Sequence, residues 1–92
     1  MASSNRELVQ AVHDLLQALA PVALAVEDES AVHAGHAGAG AGAHLRVKMV
    51  SARFAGMPRV ARHRLVYDAL AGLMPARIHA LALELLAPDE AP

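Results

Sequence analysis

The apolar positions of this chain follow two periods, and the periods divide it into elements. Leu8, Val12, Leu15, Leu16 and Leu19 recur at spacings of three and four, which predicts a helix with one buried face. Ser4-Asn5-Arg6-Glu7 at its start reads as a capping box, in which the serine accepts from the N–H of residue 7 and the glutamate reaches back. Pro21 follows its end. Val22, Leu24 and Val26 alternate with Ala23, Ala25 and Glu27, the pattern of a half-buried strand. Leu45, Val47 and Met49 alternate with Arg46, Lys48 and Val50, which predicts a second strand from about His44 to Ser51. Met57-Pro58-Arg59-Val60 reads as a short helical turn. The main helix starts at Arg62, with Val66, Leu70 and Leu73 on its stripe and Leu65, Ala69 and Met74 widening it. Pro75 disfavours a helical Met74, so the helix stops about there. Leu81, Leu83 and Leu85 predict a third strand, with His79 the first residue on that same face.

The order is helix, strand, strand, short helix, helix, strand. The strand faces agree with one another. Ala23, Ala25, Glu27, Arg46, Lys48, Ala80, Ala82 and Glu84 make a small or polar face, and the leucines, valines and Met49 make the other. An α+β fold satisfies this: one three-stranded sheet with helices packed on one face. The helical link between the second and third strands lets them lie parallel with a right-handed crossover. The whole chain, residues 1–92, reads as a single domain. Within it, residues 31–43 form a monotonous Gly/Ala/His loop, expected to be flexible. The acidic, proline-flanked tail 88–92 is expected to fray.

Composition narrows the function. There is no cysteine, so the chain offers neither a disulfide nor a thiolate ligand. The N-terminus is polar, without a signal-peptide apolar region. The longest apolar run, Leu15 to Val26, is too short to span a bilayer and contains Gln17 and Pro21. A cytoplasmic protein without a membrane segment is the expectation. Net charge is −1, but between His44 and Arg77 seven basic residues face one acid, Asp68. That local excess suits an anionic partner or an acidic protein surface, and equally a solvated charged face.

Three sets of residues could carry chemistry. The first is the histidines, His33, His36, His44, His63 and His79. Imidazole suits zinc, copper, nickel and iron, and replaces thiolate at one iron of some [2Fe–2S] clusters. A loop ligand plus His79 would make half a site. The second is the turn and helix from Met57 to Met74 with Arg59, Arg62 and Arg64, which could meet DNA as a helix-turn-helix. The place of a KH-type GXXG loop reads Gly56-Met57-Pro58-Arg59, without the second glycine, and Phe54 and Tyr67 are the only aromatics available to stack on bases. The third is catalytic: His63, Asp68, Ser51 and Tyr67 lack the spacing of a nucleophile elbow or carboxylate pair, so no enzyme is read.

Taken together, several segments resemble the BolA family. They are Val26-Glu27-Asp28-Glu29-Ser30, His33-Ala34-Gly35-His36, His44-Leu45-Arg46-Val47, Val50-Ser51-Ala52-Arg53-Phe54-Ala55-Gly56, Arg62-His63-Arg64-Leu65-Val66-Tyr67 and Ile78-His79-Ala80-Leu81. The resemblance covers about Leu8 to Glu90. It implies a class II KH-like αββααβ fold, and a chain that is a monomer or weak homodimer when alone. It implies a monothiol glutaredoxin as partner and a [2Fe–2S] cluster shared with that glutaredoxin and glutathione. The role implied is iron–sulfur cluster assembly or trafficking, or iron regulation. It also implies the ligands: His79, with His33 from the loop and His36 as its substitute. The alternative the resemblance brings is a DNA-binding transcription regulator using the helix-turn-helix and Arg59, Arg62 and Arg64.

Overall fold

The computed structural model describes residues 2–30, 42–74 and 76–92, with side chains from residue 5. Two helices and a three-stranded mixed sheet make an α+β fold. Helix α1 (Ala2–Leu16) runs on into a 3-10 turn, Gln17–Leu19. It begins two residues before Ser4, so Ser4 lies within the helix and is not its cap. Leu8, Val12, Leu16 and Leu19 are buried, whereas Leu15 is 41% exposed and leaves the expected stripe. Ala20 takes a left-handed conformation (φ 50°) that ends the helical path before Pro21.

Strand β1 (Ala23–Asp28) pairs antiparallel with β2 (Ala43–Val50), and β2 pairs parallel with β3 (Ile78–Leu86), so β2 is central. Val22 lies just outside β1 and is 71% exposed, not part of the apolar face. Ala43, Leu45, Val47 and Met49 of β2 are all buried under the helices, while Lys48 on the opposite face is exposed. The period-two rule decides which side chains meet the helices, and the central strand obeys it without a break.

Between β2 and β3 the chain differs from its sequence pattern. The short helical element is a single 3-10 turn at Ala52–Phe54, not at Met57–Val60. Helix α2 (Arg59–Ala69) begins directly after Pro58, whose extended conformation (ψ 158°) marks the boundary. A further 3-10 turn, Ala71–Leu73, carries the chain on to an extended Met74 (ψ 145°), as the residue before a proline requires. The expected helix-turn-helix is therefore one 3-10 turn before one helix. Phe54, Val66 and Leu70 are fully buried and close the core from this side. The tail is not frayed. Ala87 is 1% exposed, Pro88–Glu90 form a 3-10 turn, and Glu90 is tied to Arg62 of α2.

Candidate functional site

Because β2 and β3 are parallel neighbours, their first residues lie at the same end of the sheet. The Ala43 N–H donates to the Arg77 carbonyl (3.0 Å), which closes that end. Ala43 pairs with Ile78, but the next pair is His44 with Ala80. One residue of β3, His79, is thus extra, the signature of a bulge. The bulge corrects the expected facing. Ile78 is buried completely, beside Ala43 on the core face, and His79 is exposed instead of leading the apolar face. The His79 and His44 rings lie with centroids 5.3 Å apart and planes tilted by 54°. Gly42 adopts φ 107°, where a side chain would be strained, and a Cβ there would come within 3.1 Å of the His79 Cβ.

His44 is held from both sides by the turn that ends β1. The Glu29 N–H donates to the His44 carbonyl (2.7 Å), and the His44 N–H donates to Ser30 Oγ (3.0 Å). That turn is itself tied: the Ser30 N–H and Asn5 Nδ2 both donate to the Asp28 carboxylate, at 2.9 and 3.0 Å. Burial pushes the Asp28 carboxyl up, but the hydrogen bonds from Ser30 and Asn5 outweigh it and leave the group below its ordinary value. Glu29 also pairs with Arg46 Nε at 3.0 Å. Beside His44 lies a cleft of about 250 Å³ lined by Glu29, Arg46, Ala80 and Ala82. The half-buried, backbone-clamped His44 and the exposed His79 therefore stand together where the histidine-bearing loop leaves and rejoins the sheet.

The other candidate residues are distributed differently. His33 and His36 lie outside the described residues. His63 is on α2, with Nδ1 2.9 Å from the Arg59 carbonyl one turn earlier. Ser51 is fully buried, its hydroxyl donating to the Leu19 carbonyl (2.6 Å) and accepting from the Arg53 N–H (3.1 Å), so it is a structural link. Arg59 and Arg64 are exposed. Arg62 is only 11% exposed at its side chain. It donates to the Met57 and Leu85 carbonyls and to both carboxylate oxygens of Glu90, at 2.5 and 2.9 Å, so its guanidinium is already engaged within the fold. No three His, Asp or Glu residues among the described residues gather as a metal-holding group. No helix among them is long and apolar enough to cross a membrane.

His44 belonged to the histidine set, but its pairing with His79 was not expected. A strict alternation puts His79 on the leucine face and hides the pair. The available signal was Ile78, a large apolar residue out of phase with Leu81, Leu83 and Leu85. An Ile that must be buried forces the extra residue next to it.

The geometry can be set beside known proteins. The sequence profile of the family described as BolA-like protein matches residues 15–90. A Sinorhizobium protein described only as lying in the cobS 5′ region is 48% identical over 80 residues, 83% of this chain and 85% of that protein. The Arabidopsis thaliana chloroplastic protein BOLA1 is 42% identical over 95 residues, covering 99% of this chain and 56% of its own length. The chain thus spans about half of that curated relative. The solved structure of BolA1 from Arabidopsis thaliana has a TM-score of 0.78 at 39% identity, covering 91% of this chain and 95% of the solved one. A Haemophilus influenzae protein named DNA-binding transcriptional regulator BolA is 40% identical over 70 residues, 76% of this chain and 66% of that protein.

Proposed function

Because the chain belongs to the BolA family, we propose that it is the partner of a monothiol glutaredoxin and shares a [2Fe–2S] cluster with it and with glutathione. The observation that carries this reading is the exposed His79, displaced from the core by a bulge and standing beside His44 at the root of the histidine-bearing loop. The donor chemistry fits. Imidazole is an iron ligand, a [2Fe–2S] cluster accepts it in place of thiolate, and this chain has no thiolate to give. A cluster held this way supplies iron and sulfide for delivery, or a one-electron centre for sensing.

The chain's own residues do three things. The bulge points His79 outward, away from the helices. The clamp of Glu29 and Ser30 on His44 fixes the sheet end from which the loop departs. His33 follows Ser30 by three residues, so its Cα lies within about 11 Å of that anchor however the loop runs. His36 has a reach of about 20 Å from Ser30, so either histidine can come to His79, with His33 the more tightly tethered. The rest of the coordination comes from the glutaredoxin and glutathione.

The test is co-purification with a monothiol glutaredoxin and glutathione, read by visible absorption and circular dichroism. His79→Ala should damage the heterodimeric cluster most. His33→Ala should do less harm because His36 can substitute, and the double loop variant should be worse than either single one. A cluster spectrum and stability untouched by His79→Ala would remove the proposed site.

A second reading is DNA binding, favoured by the exposed Arg59 and Arg64 on α2 and by the name of the Haemophilus relative. Phosphate contacts make affinity fall steeply with salt. If the reading is correct, the Arg59→Ala/Arg64→Ala variant flattens that slope. Arg62 is left out of the variant because its guanidinium holds Glu90. An unchanged slope rejects DNA binding by this face.

A further inference from the structure

We infer that the outer edge of β3 pairs antiparallel with the same edge of a second copy of this chain, joining two three-stranded sheets into one of six strands. β3 has a strand neighbour on one side only, β2. The Ser51 N–H donates to the Leu86 carbonyl (3.0 Å), which fixes the phase of that parallel ladder. Leu86, Glu84, Ala82 and Ala80 turn their N–H and C=O toward β2, so Leu81, Leu83 and Leu85 turn theirs to the outer edge. Arg62 Nη1 donates to the Leu85 carbonyl there (3.0 Å). Among the described residues, nothing meets the outward N–H and C=O of Leu81 and Leu83. Their side chains mark the same edge. Across the ladder Leu45 and Val47 are 2% and 0% exposed, whereas Leu81 and Leu83, on the same face, are only half-buried.

The edge selects both its occupant and the register. Sheet edges are commonly guarded by lysine, proline or a short strand. β3 runs nine residues without lysine, arginine or proline, and its one acid is Glu84. β1, at the other edge, has six residues and ends in Glu27-Asp28. A two-fold axis at Ala82 of β3 sets Leu81 opposite Leu83 of the second copy, and Leu83 opposite its Leu81. These are hydrogen-bonded pairs, so the free groups of the two copies close on one another with none left over. Glu84 then faces Ala80 of the second copy and not another Glu84, so no like charges meet. An axis at Leu83 would need Leu85, whose carbonyl already holds Arg62. An axis at Leu81 would need His79, which lies in the bulge. The strand is therefore self-complementary in one register. Pairing also joins the leucine faces beneath the helices and covers what is exposed of Leu81 and Leu83. The contact is a single strand edge, so the association is weak.

The inference uses no histidine and does not depend on the cluster reading. Its test takes the full chain alone. Sedimentation velocity from about 10 μM to about 1 mM should show monomer giving way to dimer. Over that range hydrogen exchange at the Leu81 and Leu83 amides should slow. Exchange at Leu24 and Val26, whose amides point to the outer edge of β1, should not. Ala82→Glu sets two carboxylates face to face at the axis, while Arg46 across the ladder can pair with each one in the monomer. The dissociation constant should rise at least about tenfold. Ala25→Glu, across from Lys48 on β1, should leave it unchanged. The chain has no cysteine, so Ala82→Cys introduces one thiol per copy. In a non-hydrogen-bonded pair the two Cα atoms lie about 4.5 Å apart, within disulfide reach. The oxidant diamide should therefore cross-link Ala82→Cys and not Ala25→Cys. Far-UV circular dichroism confirms that each variant is folded, and exchange on the unmutated chain decides the matter if one is not. A chain monomeric throughout, which would leave the edge to an extended segment of another protein, overturns the inference. So does a dimer undisturbed by Ala82→Glu, or one trapped by Ala25→Cys and not by Ala82→Cys.

Discussion

Replacing Ser51 by alanine removes one oxygen that ties the end of the first helical path to the turn after β2. The hydroxyl donates to the Leu19 carbonyl at the end of the first helical path and accepts from the Arg53 N–H in the turn after β2. The Ser51 backbone N–H meanwhile donates to Leu86 at the end of β3. Ser51 is 0% exposed and Leu19 only 5%, so water cannot replace the lost donor without opening the core. A buried carbonyl left without its partner costs about 1–3 kcal/mol. Loss of the cap on the 3-10 turn adds about 1 kcal/mol. The sum, roughly 2–4 kcal/mol, is a large share of the about 5–15 kcal/mol that stabilises a domain of this size. At about 4–8 °C per kcal/mol the melting temperature should fall by roughly 8–32 °C. The assay is urea unfolding followed by circular dichroism, with Arg53→Ala as a control that keeps the backbone donor and should cost little. A loss for Ser51→Ala below about 1 kcal/mol, at an unchanged slope, would show that the hydroxyl does not bind these segments together.

Leu70→Ala, at a wholly buried position closing the core from the end of α2, should cost about 2–5 kcal/mol in the same assay, and a cost in the range of a surface substitution would refute the helix-on-sheet packing. The Arg62–Glu90 pair predicts a pH effect: hydrogen bonds from Arg62 and the Ala87 N–H pull the Glu90 carboxyl from its ordinary 4.5 down to about 2. The folded state therefore binds fewer protons there than the unfolded state, so this contribution is complete above about 4.5 and is lost as the pH falls toward about 2. Melting temperature against pH should show a shallower acid slope in Glu90→Gln than in the unmutated chain, and identical slopes would mean the pair is not formed in solution.

Most of the fold was legible because it depends on alternation and on helical spacing. The two faces of the central strand follow from Leu45, Val47 and Met49 against Lys48, and the parallel crossover follows from the helical link. What was not legible has local causes. Leu15 and Val22 look like core residues to any count of apolar positions, yet one is 41% and the other 71% exposed, because burial depends on where a helix meets the sheet. The acidic tail was expected to fray because the Arg62 to Glu90 contact that ties it is long-range and no local pattern encodes it. The same contact withdraws one arginine from the basic patch, so a charge count overstates what that surface offers a phosphate. On the site, His79 was singled out by sequence but assigned to the wrong face, and its proximity to His44 needed the register of two strands.

The bulge explains why His79 is exposed. With strict alternation from Leu81 back, His79 would enter the core and Ile78 would face outward. A one-residue shift exchanges every side chain beyond it. Burying an isoleucine is worth about 1.5–3 kcal/mol. Keeping an imidazole out of an apolar core avoids a further cost for its polar nitrogens. Both terms favour the bulge, at the expense of a local disruption of the strand pairing and a glycine at position 42 to make room. The exposed position of His79 is thus set by the hydrophobicity of the residue before it rather than by any contact the histidine makes. The outward imidazole and the closed end of the core are one structural decision, and a strand end built this way presents an exposed imidazole without weakening the packing beneath it.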